Sequence, residues 1–289
     1  MTGHSLSDDA RRYAATAGYE LLDRASLHTV VLLHGLGGDR NQPLGLVTDR
    51  FTGWPLTVLA PDARAHGDTA LVGSPERFTS TAMAEDLHAL IERLGIDGPL
   101  IVVGISMGAA VALRVARSLP DRVVGTLAIR PSFGTVPWPD HLRVFSHIAD
   151  VLLTAGPAGA ATFAAGTSYR DVARVSPSAA ASLLEQFSKP DAVVRVTRLA
   201  NLPADTPIDW TGRLELGSPF TIVAAEGDPN HPRHIADLWH DRIAHSELTT
   251  IPSRDDAPAT YAAGLDRAVR DFVGRFDAKG SATTPRTTR

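Results

Sequence analysis

Gly104-Ile105-Ser106-Met107-Gly108 is the segment of this chain best equipped for covalent chemistry. A buried apolar run, 100–106, leads into it, and an alanine-rich helical pattern leaves it. A serine between two glycines at a strand-to-helix turn is presented as a nucleophile, because the small neighbours let strand and helix approach closely. Upstream, His34-Gly35-Leu36-Gly37-Gly38 ends another apolar run. The Leu36 N–H of that turn and the Met107 N–H of the elbow are two donors that can meet an oxyanion. A lone G-x-S-x-G is a common coincidence; the strand-turn-helix context and the earlier glycine-rich turn carry the reading. A hydroxyl is a weak nucleophile until a base takes its proton, so the histidines decide what Ser106 can do.

These residues need a scaffold, and the apolar pattern supplies one. Continuous β-like runs occur at 28–35, 55–62, 100–106, 123–130, 219–228 and 246–252. Helical periodicity fills 80–94, 108–120, 232–243 and 258–276. Such alternation predicts an α/β protein with a mostly parallel twisted sheet and crossover helices. From 133 to 217 the rhythm breaks into a helix-biased, alanine-rich stretch punctuated by seven prolines. That stretch is too long for a crossover and predicts a helical cap over the strand ends. The expected organisation is core at 1–132, cap at 133–217, core at 218–276, and a disordered tail at 277–289. No internal repeat is visible.

Composition removes several classes. Of 289 residues, 44% are hydrophobic and 21% charged, enough apolar matter for a large core. There is no cysteine, hence no disulfide, thiolate metal site or cysteine nucleophile. Lys and Arg number 28 against 32 Asp and Glu, a net charge of −4 with no basic stripe, which argues against nucleic acid as a partner. Only Lys189 and Lys279 are lysines. No run approaches membrane-spanning length and the first twenty residues hold no apolar signal core. These features predict a cytoplasmic location without a membrane partner.

With the turn, the elbow, the Pro61–Gly67 stretch P-D-A-R-A-H-G and the cap in this order, the chain resembles the α/β-hydrolase superfamily over nearly its whole length. Mild departures are Ala65, where relatives usually carry glycine, and Thr69, where serine is usual. The resemblance implies an acid after the strand that leaves the cap, which is Asp228, with Glu226 as the alternative. It also implies a histidine just past the last strand. Here Arg254, Asp255 and Asp256 occupy that slot, and no histidine follows His245. The triad is degenerate. His231 and His234, near Asp228, are the late replacements; His141 and His147 in the cap and His66 on a loop are others. Asp228, His231 and His234 form a weaker metal-ligand pattern, and neither metal nor cofactor is expected. For substrate contact the sequence offers His34, Gly35, Arg130 after a strand end, His231, and the aromatic residues Phe133, Trp138 and Phe163. Phe145, Tyr169, Phe187 and Trp210 are further lid candidates.

Two activities compete, with a catalytically dead binding protein behind them. The chain resembles the atypical epimerases within the superfamily, which invert an aspartate α-carbon beside a thiazole-type heterocycle in a bottromycin-like modified peptide. A substrate carboxylate would be the base there, oriented and desolvated by the protein. The alternative is an esterase, lactonase or amidase with a relocated histidine. A small molecule or modified peptide is the expected substrate in either case.

Overall fold

The computed structural model describes residues 6–23, 26–47 and 56–276. The tail expected from residue 277 lies outside the described residues. Helix α1 (Asp8–Thr16) and strand β1 (Tyr19–Leu22) come first, then β2 (Thr29–Leu33), α2 (Asn41–Val47), β3 (Thr57–Pro61) and α3 (Ser80–Arg93). The elbow follows within β4 (Leu100–Ile105), α4 (Met107–Ser118) and β5 (Val123–Ile129). Next come α5 (Arg143–Ala155), α6 (Ala160–Ala164), α7 (Thr167–Val175), α8 (Pro177–Ser188) and α9 (Thr197–Asn201), with no strand among them. The chain returns through β6 (Phe220–Ala225), α10 (Arg233–Arg242), β7 (Glu247–Ile251) and α11 (Pro258–Gly274).

Seven strands form one sheet in the order β1-β3-β2-β4-β5-β6-β7. Only β1 runs antiparallel, against β3. This is the α/β-hydrolase arrangement expected from the sequence. Period two decides the layers: in β2, Val31 and Leu33 pack with Leu87 of α3 and Leu113 of α4, whereas Val30 and Leu32 pack with Val269 and Phe272 of α11. Each such side chain contributes about 1.5–3 kcal/mol on burial. That outweighs strand-propensity differences of about 1 kcal/mol, which is why unbroken apolar runs locate the central strands.

The helices between β5 and β6 join the same layer as α3 and α4, through Val144, Ile148 and Leu152 of α5 and Leu183 and Phe187 of α8. By length and composition alone, Asp140–Ala164 is apolar enough to cross a membrane, which the sequence reading did not anticipate. It is broken at Gly156, and its Val144, Ile148, Leu152 and Phe163 lie in the core.

No extended apolar pattern marks α1, whose short stripe of Ala10, Tyr13 and Ala14 packs with Ala89 and Leu90 of α3 behind a Ser7 cap. Charge adds to this packing. Arg64 is fully buried, binds Asp86 through Nε and Nη2 at 2.8 Å each, and meets Asp9 of α1 at 3.1 Å. Arg77 joins Asp9 at 3.0 Å, Glu85 at 2.8 Å and Asp86 at 2.6 Å. The Tyr13 hydroxyl donates to the Asp62 carbonyl at 2.8 Å.

Candidate active site

Ser106 lies on the turn between β4 and α4 with φ 54° and ψ −108°. A non-glycine residue in the left-handed region costs about 1–3 kcal/mol and persists only where the surroundings enforce it. They do so here. A Cβ on Gly104 would lie 2.1 Å from the Gly108 carbonyl oxygen, and one on Gly108 would lie 2.4 Å from that of Leu33. The Ser106 N–H donates to the Ile129 carbonyl at 2.9 Å, fixing the turn to β5. The Ser106 hydroxyl has no hydrogen-bond partner among the described residues. The N–H groups of Leu36 and Met107 likewise find no backbone acceptor there, as an oxyanion hole requires.

The turn after β2 is braced from several sides. Gly35 donates to Gln42 Oε1 at 2.7 Å, and Gly38 donates to the Gly35 carbonyl at 2.9 Å. A Cβ on Gly35 would approach the Ser106 Cβ to 3.4 Å, so the turn lies directly against the elbow. His34, expected to contact substrate, is instead buried beneath the turn. Its Nδ1–H donates to the Gly35 carbonyl at 2.8 Å and its Nε2 accepts from the Ala63 N–H at 3.0 Å, which defines a neutral ring. Burial lowers the pKa of His34, and burial, His34 and Arg198 lower that of its neighbour His66. His34 therefore binds a proton more readily unfolded than folded. Its stabilising contribution is present above the ordinary histidine pKa of about 6.5 and fades as pH falls below it. Denaturant titrations are expected to show stability falling between pH 7.5 and 5.5, by up to about 1.4 kcal/mol per pH unit for this histidine. A flat profile would contradict the neutral assignment of His34.

Asp228 follows β6 and is held at every oxygen. Its Oδ2 accepts from His231 Nδ1 at 2.9 Å and Arg130 Nη1 at 3.0 Å, and its Oδ1 accepts from the Asn230 N–H at 3.1 Å. Burial raises its pKa, but the charge and hydrogen bond of His231 and the charge of Arg130 more than offset this, so the carboxyl is held well below the usual range. A carboxylate only accepts, so His231 Nδ1 is the donor and Nε2 is the ring nitrogen that Asp228 does not engage. Ser106, Arg130, Asp228 and His231 all line one cleft of about 370 Å³. Arg130 adopts φ 48° after β5 and grips the protein's own Asp228, rather than standing free for a ligand.

Gly35, Leu36, Arg130 and His231 line the cleft. The aromatic expectations need correction. Phe133 and Phe163 are buried in the core, where the Phe133 carbonyl accepts from Trp239 Nε1 at 2.8 Å and Phe163 packs on Phe187 and Tyr169. Trp138 is 50% exposed, outside the cleft lining. Phe145 and Tyr261 are the aromatic rings that do line it. His141 Nε2 donates to the Ser132 carbonyl at 2.7 Å, and among the described residues no three His, Asp or Glu side chains are arranged to hold a metal.

The sequence reading missed the polar face of α8. Ser178, Ser182 and Gln186 line the cleft at i, i+4 and i+8, a helical stripe that the alanine-rich composition masked. It also missed what replaces the histidine past β7. The Asp255 carboxylate bonds the Ser176 hydroxyl, the Ser178 N–H at 2.9 Å and the Ser178 hydroxyl at 3.0 Å. It serves the N-terminus of α8, and the Ser176 hydroxyl above all holds its pKa down. Asp255→Ala is expected to weaken α8 by about 1 kcal/mol, read as roughly fivefold faster amide exchange at 179–183. Unchanged exchange would refute the latch.

Comparisons with known proteins give the family and agree with the fold. The Alpha/beta hydrolase family matches residues 30–278. The mouse (Mus musculus) sn-1-specific diacylglycerol lipase ABHD11 is 37% identical over 129 residues, 44% of this chain and 40% of the lipase, so the match spans less than half of that relative. An esterase from Thermogutta terrifontis, solved with malate bound, superposes with TM-score 0.65 at 20% identity over 90% of this chain and 94% of that one. The bottromycin epimerase BotH, in complex with bottromycin A2, superposes with TM-score 0.63 at 22% identity over 89% of this chain and 94% of that one. At such identities the structural likeness speaks for the fold, and the family match spans most of the chain. This protein belongs to the α/β hydrolase family.

Proposed function

We propose that this protein is a serine-dependent hydrolase of carboxylic esters in which a relocated histidine, His231, held by Asp228, is the general base. The observation that carries this reading is the 2.9 Å bond from His231 Nδ1 to Asp228, in the same cleft as the strained Ser106. The bond fixes the tautomer a base needs, with Nε2 free to accept a proton. Ser106 Oγ would attack the ester carbonyl carbon as His231 Nε2 takes its proton. The Leu36 and Met107 N–H groups would receive the oxyanion, and His231 would return the proton to the leaving alkoxide. Water then repeats the sequence on the acyl-serine. His231 and Ser106 are not hydrogen-bonded to one another, so this reading requires the pair to draw together on substrate, as catalytic contacts commonly do. The helices from α5 to α9 serve in this reading as a cap, through the polar face of α8.

The missing Ser106 hydrogen bond favours a second reading, a non-hydrolytic epimerase acting on an aspartate-containing modified peptide, with the substrate carboxylate as base. Superposition on BotH is compatible with it. One experiment separates the two. A fluorophosphonate probe and a short-chain nitrophenyl ester are offered to the protein, with peptide mass followed in deuterated water. Stoichiometric labelling at Ser106 with turnover supports the hydrolase. Absence of both, with gain of one deuterium at an α-carbon and no water added, supports the epimerase.

A further inference from the structure

Beside the cleft, and sharing Gly38, Asp39 and Lys189 with it, lies a second cavity of about 160 Å³ bordered by Arg195 and Arg198. Arg198 is 3% exposed and Arg195 8%. Nη1 of Arg198 donates to the Arg195 carbonyl and Nη2 to Gln186 Oε1, each at 3.0 Å, while its buried Nε has no partner. No carboxylate pairs with it among the described residues. Arg195 donates to the Gly67 carbonyl at 2.7 Å, and its carboxylate neighbour, the mostly exposed Asp191, stands 3.7 Å away. The rim carboxylates are engaged elsewhere: Asp39 accepts from the Asn41 N–H and Asp68 pairs with Arg40. Burial and the Arg195 charge push Arg198 down to about 10, so it remains a cation at neutral pH.

A buried guanidinium with no counter-charge is disfavoured unless an anion lies beside it, and here Arg198 borders a cavity together with Arg195 and Lys189, three cations whose charge suits a carboxylate or phosphate. We propose that Lys189, Arg195 and Arg198 form a subsite for an oxyanion group carried at the far end of the substrate whose ester lies at Ser106. The placement at Ser106 rests on the hydrolase reading; the anion subsite does not. Gln186 joins the two regions. Its Oε1 takes the Arg198 hydrogen bond, and its Nε2 donates to the Gly37 carbonyl at 3.3 Å, on the turn that supplies the oxyanion donor.

The test compares nitrophenyl acetate with nitrophenyl monoesters of succinic, glutaric and adipic acids. At least one monoester should exceed the neutral ester in kcat/KM by roughly tenfold or more, about what one charge-assisted pair supplies. Arg198→Met, and independently Lys189→Ala at the half-exposed rim, should bring that ratio back towards one within the same preparation. In parallel, succinate and inorganic phosphate should raise the thermal midpoint of the wild type and not of Arg198→Met. Arg198-dependent stabilisation by succinate without ester turnover keeps the anion site and removes the hydrolase reading. Turnover with no preference for any monoester overturns the subsite, as does stabilisation by phosphate alone, which marks a site for free phosphate.

Discussion

Ser106→Ala protein should hydrolyse a short-chain nitrophenyl ester roughly 10³–10⁶-fold more slowly than the wild type and take up no fluorophosphonate label. The magnitude follows from covalent catalysis: without Oγ no acyl-enzyme forms, and only the orienting and oxyanion-binding parts of the site remain. His231→Gln should cost roughly 10²–10⁴-fold while leaving the elbow folded, since glutamine occupies similar space but is a negligible base. The double variant should be little worse than Ser106→Ala, because nucleophile and base act as a unit. An epimerase behaves otherwise. There Ser106→Ala would lower α-carbon exchange only modestly, since the hydroxyl would orient the substrate rather than attack it. Wild-type turnover matched by Ser106→Ala would remove the hydrolase reading.

The central strands are legible in the sequence because both faces are covered. Val30 to Leu33 enter opposite layers yet are all apolar, so the run marks the strand without revealing which face is which. The elbow is legible because glycine at 104 and 108 is a steric requirement that shows in sequence as spacing. What failed to show depends on partners distant in sequence. Helix α1 is held by Ala89 and Leu90 of α3 and by Arg64 and Arg77, all more than fifty positions away, and its own apolar stripe is too short to register. Edge strand β1 is largely exposed and patterned like a loop. Of the aromatic lid candidates Phe145 does line the cleft, whereas Phe133, Phe163 and Phe187 do not, because an aromatic side chain signals burial, and burial in the core beneath the cleft looks the same in sequence as burial against a ligand. The polar stripe of α8 and Asp255 were visible as residues, but their roles exist only once β7 and α8 meet.

Asp86→Ala should lower folding stability by about 3–5 kcal/mol, the usual cost of stranding one partner of a buried ion pair. Arg64 has no exposed surface, and Asp86 supplies its bidentate partner; the remaining contacts are Asp9 at 3.1 Å and the Val72 carbonyl at 3.3 Å. A loss of that size lowers the melting temperature by on the order of 10 °C. Burial raises the Asp86 pKa by more than Arg64 and Arg77 lower it, so the ionised carboxylate is held at a net disadvantage. The pair therefore contributes little over a well-packed apolar alternative, although breaking it is costly. Arg64→Met combined with Asp86→Leu should accordingly recover much of the loss, and a thermodynamic cycle over the wild type, Arg64→Met, Asp86→Leu and the double variant measures the coupling. The consequence reaches the site, because the Arg64 carbonyl receives His66 Nδ1 at 2.8 Å, and His66 in turn contacts the Leu36 carbonyl at 3.0 Å. Asp86→Ala should thus also reduce hydrolysis at a temperature where the protein is still folded. Additive single losses, with no recovery in the double variant, would show that packing rather than charge pairing holds the Arg64 side chain.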